Sequence, residues 1–304
     1  MTFGSTPTVT PDKTPDETPA DQPIVEARDA ATVMLIRDTE AGIEVFMMRR
    51  NINAVFVGGA YVFPGGKVDP HDSSQDVATM CIGRDDADAS RRLSLPSGGL
   101  AFWVAAVREC FEEAGVILAV LDTGGAVRFD DPAVAARFDA MRDEVHSERV
   151  RIVDVCRAEG LLIDVGAIHY HSHWITPYAS PRRFDTRFFV AAAPPLQTPI
   201  HDEAELIASM WVRPCDALDM FHTGEIVIIE PTQRSLESLA EHACVASVLA
   251  AAAARTDGAD IVPRMVVNHD GFQVLIPGDA GYPGDAGYPG EAGYPGDAGY
   301  PGAP

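Results

Sequence analysis

The stretch Arg108-Glu109-Cys110-Phe111-Glu112-Glu113-Ala114-Gly115-Val116 decides the fold of this chain. Its three glutamates fall at relative positions 0, 3 and 4, which share one face of an α-helix. The preceding residues 100–107 are apolar and would bury the opposite face. Like charges on one patch are unfavourable unless a cation lies between them, and hard ions such as Mg²⁺ or Mn²⁺ suit oxygen ligands. The alternative is an ordinary solvated, glutamate-rich helix face.

A second motif lies upstream of this helix. The apolar run at 60–63 indicates a short strand, and Pro64-Gly65-Gly66-Lys67 follows it. Two adjacent glycines after a strand let the backbone pass where a side chain would clash. A carbonyl of this turn can therefore face an ion or a phosphate.

Together, FPGGK at 63–67 and RE-x-x-EE-x-G-V at 108–116 resemble the Nudix box of the Nudix hydrolases. The box runs Gly, five residues, Glu, seven residues, then Arg-Glu-hydrophobic-x-Glu-Glu-x-Gly-hydrophobic. This chain has Asp72 in place of the first Glu, and 35 residues separate it from Arg108 instead of seven. Such an insertion resembles the acyl-coenzyme A diphosphatase branch, as do residues 174–177 and 182–189. The resemblance covers most of residues 30–277.

The resemblance implies an α/β fold, a Nudix-type α/β/α sandwich with a mixed sheet and helical insertions. We expect a Nudix hydrolase domain over 24–277, with insertions at about 73–100 and 118–165 that form a helical cap beside the active cleft. The sequence patterns predict strands at 31–36 and 43–48, a helix over 131–159, and another over 235–254.

On the same pattern, the carbonyl of Gly65 joins Glu112 and Glu113 as primary metal ligands. Glu109 binds a further ion or orients the attacking water, and Asp72 acts in the layer behind these ligands. The implied cofactor is Mg²⁺ or Mn²⁺. We expect Arg108 to hold the acidic patch together by ion pairing.

Later segments supply further candidates. Glu203, in the acidic stretch 201–205, is the preferred remote ligand or catalytic base, although that stretch could be a solvated turn. Arg182, Arg183 and Arg187 could bind substrate phosphates, because the guanidinium fork matches phosphate oxygens, or could pair with the protein's own carboxylates. Three histidines alternate on a predicted strand, which would put them on one face, but same-strand neighbours rarely converge on one zinc ion. They are His169, His171 and His173.

The implied function is metal-dependent hydrolysis of the diphosphate bond in a nucleoside diphosphate linked to another moiety. Coenzyme A or an acyl-coenzyme A is the leading substrate, and the alternatives are NADH, ADP-ribose or another linked nucleotide. A non-catalytic, ligand-binding Nudix domain is the alternative of another class.

Bulk composition limits partners and compartment. The formal net charge is −22 and the pI is near 4.6, so duplex nucleic acid, which requires clustered Lys and Arg, is not expected as a partner. Five cysteines without paired spacing favour a reducing compartment. The sequence has no apolar run of membrane-spanning length and no leader pattern, so we expect a cytoplasmic protein that binds a small-molecule substrate and could form a homo-oligomer.

Both ends of the sequence have low complexity. Residues 1–23 are rich in Thr, Pro and Asp and are predicted to be a disordered tail. From 278 to 304 glycine recurs at every third position, which formally matches a collagen-type pattern. Because the triplets are few and carry Tyr and Asp at X positions, we predict a disordered tail; a trimerising triple helix is the alternative.

Overall fold

The computed structural model describes residues 25–51, 58–177, 180, 182–198, 206–255, 259–268 and 271–282. Its strands are β1 Arg28–Thr39, β2 Gly42–Arg50, β3 Tyr61–Val62, β4 Gly65–Lys67, β5 Cys81–Ile82, β6 Ala119–Leu121, β7 Leu161–Asp164, β8 His169–Ile175, β9 Phe184–Ala192, β10 Leu206–Val212, β11 Asp260–Ile261, β12 Arg264–Asn268 and β13 Gly271–Leu275. Its α-helices are α1 Gln75–Ala78, α2 Asp86–Arg92, α3 Leu100–Ala114, α4 Pro132–His146, α5 Ile152–Glu159, α6 Pro214–His222, α7 Glu230–Ala240 and α8 Val245–Ala254.

The main sheet is mixed, and its strands run in the order β10-β2-β1-β9-β8-β11. β1 is antiparallel to β2 but parallel to β9, while β3 pairs with β2 and β4 pairs with β1. The central strand β1 is apolar over 30–36 except at Thr32, because both of its faces are buried. The predicted strands at 31–36 and 43–48 are thus the inner parts of β1 and β2.

Two hydrophobic cores flank this sheet. Ala31, Val33 and Leu35 of β1 belong to the core that contains α3, whereas the alternate residues Met34 and Ile36 belong to the core that contains α7 and α8. This period of two is what a strand covered on both faces requires. The predicted α/β/α sandwich is confirmed.

The insertions form a smaller unit that packs against α3. The prediction of a helical cap was incomplete, because this unit also contains a sheet. β5, β7 and β6 make a three-stranded sheet, in which β5 from the first insertion pairs in parallel with β7 from the second. Asp76 in α1 also accepts hydrogen bonds from Arg151 and Arg157 of the second insertion, at 3.0 and 3.1 Å. The two insertions therefore fold together as one body.

The helix predicted over 131–159 is two helices. Asp131 accepts the N–H of Ala133 and Pro132 opens α4, which is the expected start. The chain then leaves the helix after His146, and Glu148 adopts a left-handed conformation with φ of +56°. α5 begins at Ile152, so the sequence pattern missed a turn at 147–151.

The helix predicted over 235–254 is also two helices, α7 and α8, bent by 113° relative to each other. α8 restarts at Val245, whose N–H donates a 2.9 Å hydrogen bond to Asp38 at the end of β1. Among the described residues no single helix is long and apolar enough to cross a membrane. α7 and α8 meet the criteria of length and composition only when they are counted as one segment.

The predicted disordered tail at 1–23 lies outside the described residues, as does the repeat from 283 onward. The first residues of the repeat contact the domain: Asp279 lies 3.3 Å from Arg234, and the Tyr282 hydroxyl donates to the carbonyl of Val262 at 2.9 Å.

Candidate active site

The site forms where strand β4 meets the C-terminal half of α3. The flanking bonds from Val33 N–H to the Pro64 carbonyl and from Val68 N–H to the Asp29 carbonyl, 2.9 and 2.8 Å, fix the register of β4 on β1. Gly65 and Lys67 consequently occupy non-hydrogen-bonded positions, and their N–H and C=O groups point away from β1. The N–H of Gly65 donates to Oε2 of Glu113 at 2.8 Å, so the two ends of the motif meet.

Both glycines are required by the close approach of other groups. A Cβ at Gly65 would lie 2.5 Å from the Ala31 carbonyl oxygen, and a Cβ at Gly66 would lie 2.5 Å from Oε1 of Glu109. At Gly65 the obstacle is backbone, so no Cβ fits there; at Gly66 a Cβ would require the Glu109 carboxylate or β4 to move. The expectation that glycine lets the backbone pass here is confirmed.

Helix α3 is held at both ends. Asp86 of α2 accepts the N–H groups of Gly98 and Leu100 at 3.0 Å each, so the first insertion caps the start of the helix. Gly115 closes its other end in a left-handed conformation, φ +65°. Trp103, fully buried, donates to the Ile168 carbonyl at 2.9 Å, and its ring packs against that of Phe189 at a tilt of 54°. This packing aims the glutamate face at β4.

Arg108 ties the acidic patch together, as predicted. Its Nε and Nη2 donate to the two carboxylate oxygens of Asp72, both at 3.0 Å, and Nη2 also donates to the Lys67 carbonyl at 2.8 Å. Its Nη1 donates to Glu109 at 2.9 Å and to Glu112 at 3.1 Å. The guanidinium therefore fixes two of the three helix glutamates relative to the glycine turn.

Burial dominates the ionisation of these groups. Glu109 is 8% exposed, and loss of solvation raises its pKa to about 7 despite the ion pair with Arg108. Burial likewise raises the pKa of Glu112. Asp72 is 3% exposed, and its pKa is raised by the same cause although Arg108 opposes the shift. One guanidinium thus offsets only part of the cost of burying these carboxylates.

The donor set suits a divalent cation. As it stands, the described part of the chain holds no group of three or more His, Cys, Asp or Glu side chains arranged around an ion position. The glutamates of α3 nevertheless offer only oxygen donors, and the raised pKa values of Glu109 and Glu112 show that more positive charge would stabilise their ionised forms. Hard cations such as Mg²⁺ and Mn²⁺ match that chemistry.

Asp72 lies behind the helix glutamates. It sits in a short 3₁₀ turn, Pro70–Ser73, and its Oδ2 also accepts the N–H of Asp69 at 2.8 Å. With Arg108 taking both oxygens, Asp72 positions the guanidinium in this structure and does not face an ion directly. The predicted location behind the primary ligands agrees with this geometry, whereas a direct metal contact does not.

The three candidate phosphate-binding arginines differ in burial: Arg183 and Arg187 are buried, whereas Arg182 is exposed. Arg183 is buried and donates to the carbonyls of Val25, Thr176 and Pro177 at 2.9–3.1 Å, so it holds the β8–β9 connection against the start of the chain's described part. Nε and Nη1 of Arg183 thus donate within the protein in this structure, and its phosphate-binding role stays a prediction. Arg182 is exposed.

Arg187 is buried and forms an ion pair with Asp185, and its guanidinium lies 5.0 Å from the ring centre of Phe102. In this structure Arg187 therefore pairs with one of the protein's own carboxylates, which was the alternative expectation, and its phosphate-binding role stays a prediction.

The three alternating histidines do not share a face. A β-bulge between Tyr170 and Ser172 interrupts the alternation of β8. His171 consequently faces Ser238 of α7, with 3.3 Å between Nε2 and Oγ, while His173 lies with Asp185 and Arg187 on the α3 side. The prediction that all three lie on one face is wrong.

Lys67 and Glu148 meet at the edge of the site, and the sequence alone predicted a role for neither. The Lys67 ammonium lies 3.2 Å from Asp69 and 3.7 Å from Glu148, which belongs to the second insertion. Lys67 is visible in the FPGGK motif, but nothing in the sequence links it to Glu148, 81 positions later. The predicted base Glu203 lies outside the described residues and stays a prediction.

Comparison with known proteins agrees with this geometry. The family model described as the NUDT19 Nudix domain matches residues 78–239. The human protein named acyl-coenzyme A diphosphatase NUDT19 is 30% identical over 79% of this chain and 72% of its own length, and the Gallus gallus protein of that name has the same values. The crystal structure of a NUDIX hydrolase from Alicyclobacillus acidocaldarius is 29% identical, with a TM-score of 0.59, over 74% of this chain and 96% of that one.

The family model covers more than half of the chain and includes α3 with all three glutamates. The match to the human relative covers 79% of the chain, more than the family model does. The chain therefore belongs to the Nudix hydrolases, in the branch described by the NUDT19 Nudix domain.

Proposed function

We propose that this hydrolase cleaves the diphosphate bond of coenzyme A or an acyl-coenzyme A, with Mg²⁺ or Mn²⁺ as cofactor. The observation that carries the proposal is the contact between the Gly65–Gly66 turn and the glutamate face of α3, which brings both ends of the motif together across the long insertion. The choice of substrate is supported by the name acyl-coenzyme A diphosphatase, which the relatives that match most of the chain carry.

The chain's own residues divide the work. Glu112, Glu113 and the Gly65 carbonyl, which lies on the edge of β4 that faces α3, would hold the cation, with Glu109 holding a further ion or orienting water. Bound divalent ions neutralise phosphate oxygens and lower the pKa of coordinated water. Arg108 keeps Glu109 and Glu112 in fixed orientations and keeps its own charge, because its carboxylate partners raise its pKa. We place Glu203 as the base that accepts the proton of the attacking water.

The substrate assignment is tested with a panel of diphosphate compounds. Purified protein is incubated with coenzyme A, acyl-coenzyme A, NADH and ADP-ribose, each with Mg²⁺ or Mn²⁺, and products are identified by mass spectrometry. Cleavage of coenzyme A should give phosphopantetheine and adenosine 3′,5′-bisphosphate. Release of AMP from NADH or ADP-ribose, with coenzyme A left intact, would exclude coenzyme A as the substrate and favour one of these linked nucleotides.

The site assignment is tested with a double variant at the predicted ligands and a control variant elsewhere. Glu112→Gln with Glu113→Gln should lower kcat by about a hundredfold or more, because the ligands keep their shape but lose their charge. Glu159→Gln serves as the control, since Glu159 pairs with Arg137 on the surface of the second insertion. Equal rates for the double variant and the control would exclude this site.

We also propose a cytoplasmic location, on the basis of the acidic composition and the five free thiols. Fractionation of cells that express the full chain tests it, and recovery with a membrane or organelle fraction would contradict it.

A further inference from the structure

The second insertion reaches the catalytic turn through one surface ion pair. Glu148, in the loop between α4 and α5, has an Oε1 atom 3.7 Å from Nζ of Lys67, the residue that follows the two glycines. The opposite end of Lys67 is fixed, since its carbonyl accepts the 2.8 Å hydrogen bond from Arg108. The backbone of Lys67 therefore belongs to the site, while its ammonium extends to the rim.

The rim contact is weak by its geometry. The side chains of Lys67 and Glu148 are 55% and 78% exposed, and exposed pairs at such separations contribute little. Asp69 is the closer partner of the ammonium, at 3.2 Å. An anion with more charge than one carboxylate can therefore displace Glu148 from the Lys67 ammonium at a small cost in free energy.

The backbone at Glu148 is unusual for its residue type. Its φ of +56° is a left-handed conformation, which glycine adopts more easily than glutamate. The turn is closed by the N–H groups of Glu148 and Arg149, which donate to Val145 and Glu144 carbonyls at 2.9 and 3.0 Å. Residues held in such a conformation are frequently functional. Here the turn directs a carboxylate toward the only lysine of the described chain.

We propose that Glu148 is a specificity-determining residue of the second insertion, which competes with the substrate diphosphate for the ammonium of Lys67. The inference rests on the proposed function, because it needs a diphosphate to arrive at the Gly65–Gly66 turn. In the free enzyme Lys67 bridges Asp69 and Glu148. When a diphosphate binds, Lys67 turns to its oxygens, and Glu148 then stands at the rim as an uncompensated negative charge. Weakly charged anions do not displace it.

The sequence offers a direct probe, because Lys13 and Lys67 are its two lysines. Acetylation by a sulfo-N-hydroxysuccinimide ester, followed by peptide mass spectrometry, reports Lys67 separately, with Lys13 as the internal reference. Inorganic pyrophosphate with Mg²⁺ is the ligand, and inorganic phosphate with Mg²⁺ is the comparison. The measured quantity is the pyrophosphate concentration that halves the labelling rate of Lys67.

Glu148→Gln should lower that half-protecting concentration by about two- to fivefold, the range that one exposed ion pair allows. In Glu148→Gln the half-protecting concentrations of pyrophosphate and of phosphate should also lie closer together than in the wild type. Glu144→Gln is the control: it removes the same charge from the end of α4, where Glu144 pairs with Arg149 at 2.8 Å, and it should leave protection unchanged.

With a hydrolysed substrate, Glu148→Gln should lower KM by the same factor and leave kcat within about twofold, whereas a loss of structure would lower kcat. Absence of pyrophosphate protection at Lys67, or equal shifts for the Glu148 and Glu144 variants, would overturn the proposal. Protection of Lys67 in a protein that does not cleave coenzyme A would contradict the substrate assignment and leave the role of Glu148 intact.

Discussion

The backbone N–H of Gly65 donates a 2.8 Å hydrogen bond to Oε2 of Glu113, which lies 48 residues later in the chain. The bond joins the first strand-turn of the motif to the last turn of α3, and the whole first insertion lies between them. The insertion lengthens the connection without separating the two ends, because it docks on the start of α3 through Asp86 and Ser90. Activity should therefore depend on close contact at this junction.

Gly66→Ala tests that contact. The added methyl group would start 2.5 Å from the Glu109 carboxylate, so either β4 or the glutamate must move. We expect kcat/KM to fall by roughly a hundredfold, since a displacement near 1 Å can have that effect on a catalytic group. Steady-state kinetics with coenzyme A and Mg²⁺ measure it.

Gly224→Ala is the control for Gly66→Ala. Gly224 has a φ of +78° and open space around its Cβ position, so alanine there strains the backbone without touching the site. The control should lose thermal stability and keep its activity. If Gly66→Ala were as active as the control, the close approach of β4 to Glu109 would not matter for catalysis.

The ionisation of Glu109 predicts how stability depends on pH in the absence of divalent ions. Burial raises the pKa of Glu109 to about 7 in the folded state, above its ordinary value of 4.5. Below pH 4.5 the group is protonated in both states; as the pH rises through 7 the folded state must hold a buried charge, and stability falls. Burial shifts Glu112 in the same direction.

Thermal unfolding in EDTA should therefore show a Tm that decreases between about pH 5 and pH 8. Glu109→Gln should flatten this profile, because it removes the titrating group and keeps the shape. Mn²⁺ should raise the Tm more at pH 8 than at pH 5. A Tm that rose over this range in the wild type, and equally in Glu109→Gln, would contradict the assignment.

We expect Arg108 to contribute more to the free energy of unfolding than the exposed arginines that the structure describes, because its partners are buried carboxylates. Replacing it by Met would leave Asp72, Glu109 and Glu112 buried without their counter-charge. Breaking such a buried pair on one side costs about 3–5 kcal/mol. Urea unfolding of Arg108→Met at pH 7 measures the loss of unfolding free energy.

Arg128→Met is the matched substitution, because Arg128 pairs with Asp130 on the exposed surface at 2.7 Å. It should leave the free energy of unfolding nearly unchanged, because solvent and salt screen an ion pair on the exposed surface. A similar small change for Arg108→Met would show that the acidic patch does not depend on the guanidinium.

The sequence predicts the centre of this fold well and its long-range junctions poorly. The spacing of the three glutamates and the apolar residues 100–107 were sufficient to predict α3, and short apolar runs were sufficient to predict the inner parts of β1 and β2. The bend between α7 and α8 was missed because its cap, Asp38, is 207 positions from Val245. A local pattern carries no information on such a partner.

The same limit applies to side-chain roles in the site. The motif placed Glu109, Glu112 and Glu113 on one face, and Arg108 beside them, because their spacing is local. Whether an arginine binds phosphate or another part of the protein depends on distant groups: Arg183 binds the Val25 carbonyl, 158 positions away. The bulge in β8 that separates His171 from His173 likewise arises from pairing with β9.

Glu203 remains the prediction on which the choice of base depends. A base that accepts a proton in the transition state contributes about 10²–10⁴ in rate, and it contributes little to binding. Glu203→Gln should therefore lower kcat by at least about a hundredfold, with a KM for coenzyme A within about threefold of wild type. Glu205→Gln, two positions later in the same acidic stretch, should keep kcat if the role is specific. The pH dependence of kcat separates a base from a ligand: the acidic limb of the profile should disappear in Glu203→Gln, and added Mn²⁺ should not restore the rate. Recovery of the rate at high Mn²⁺ would instead make Glu203 a metal ligand, since a weakened ion site is refilled by mass action whereas a missing base is not.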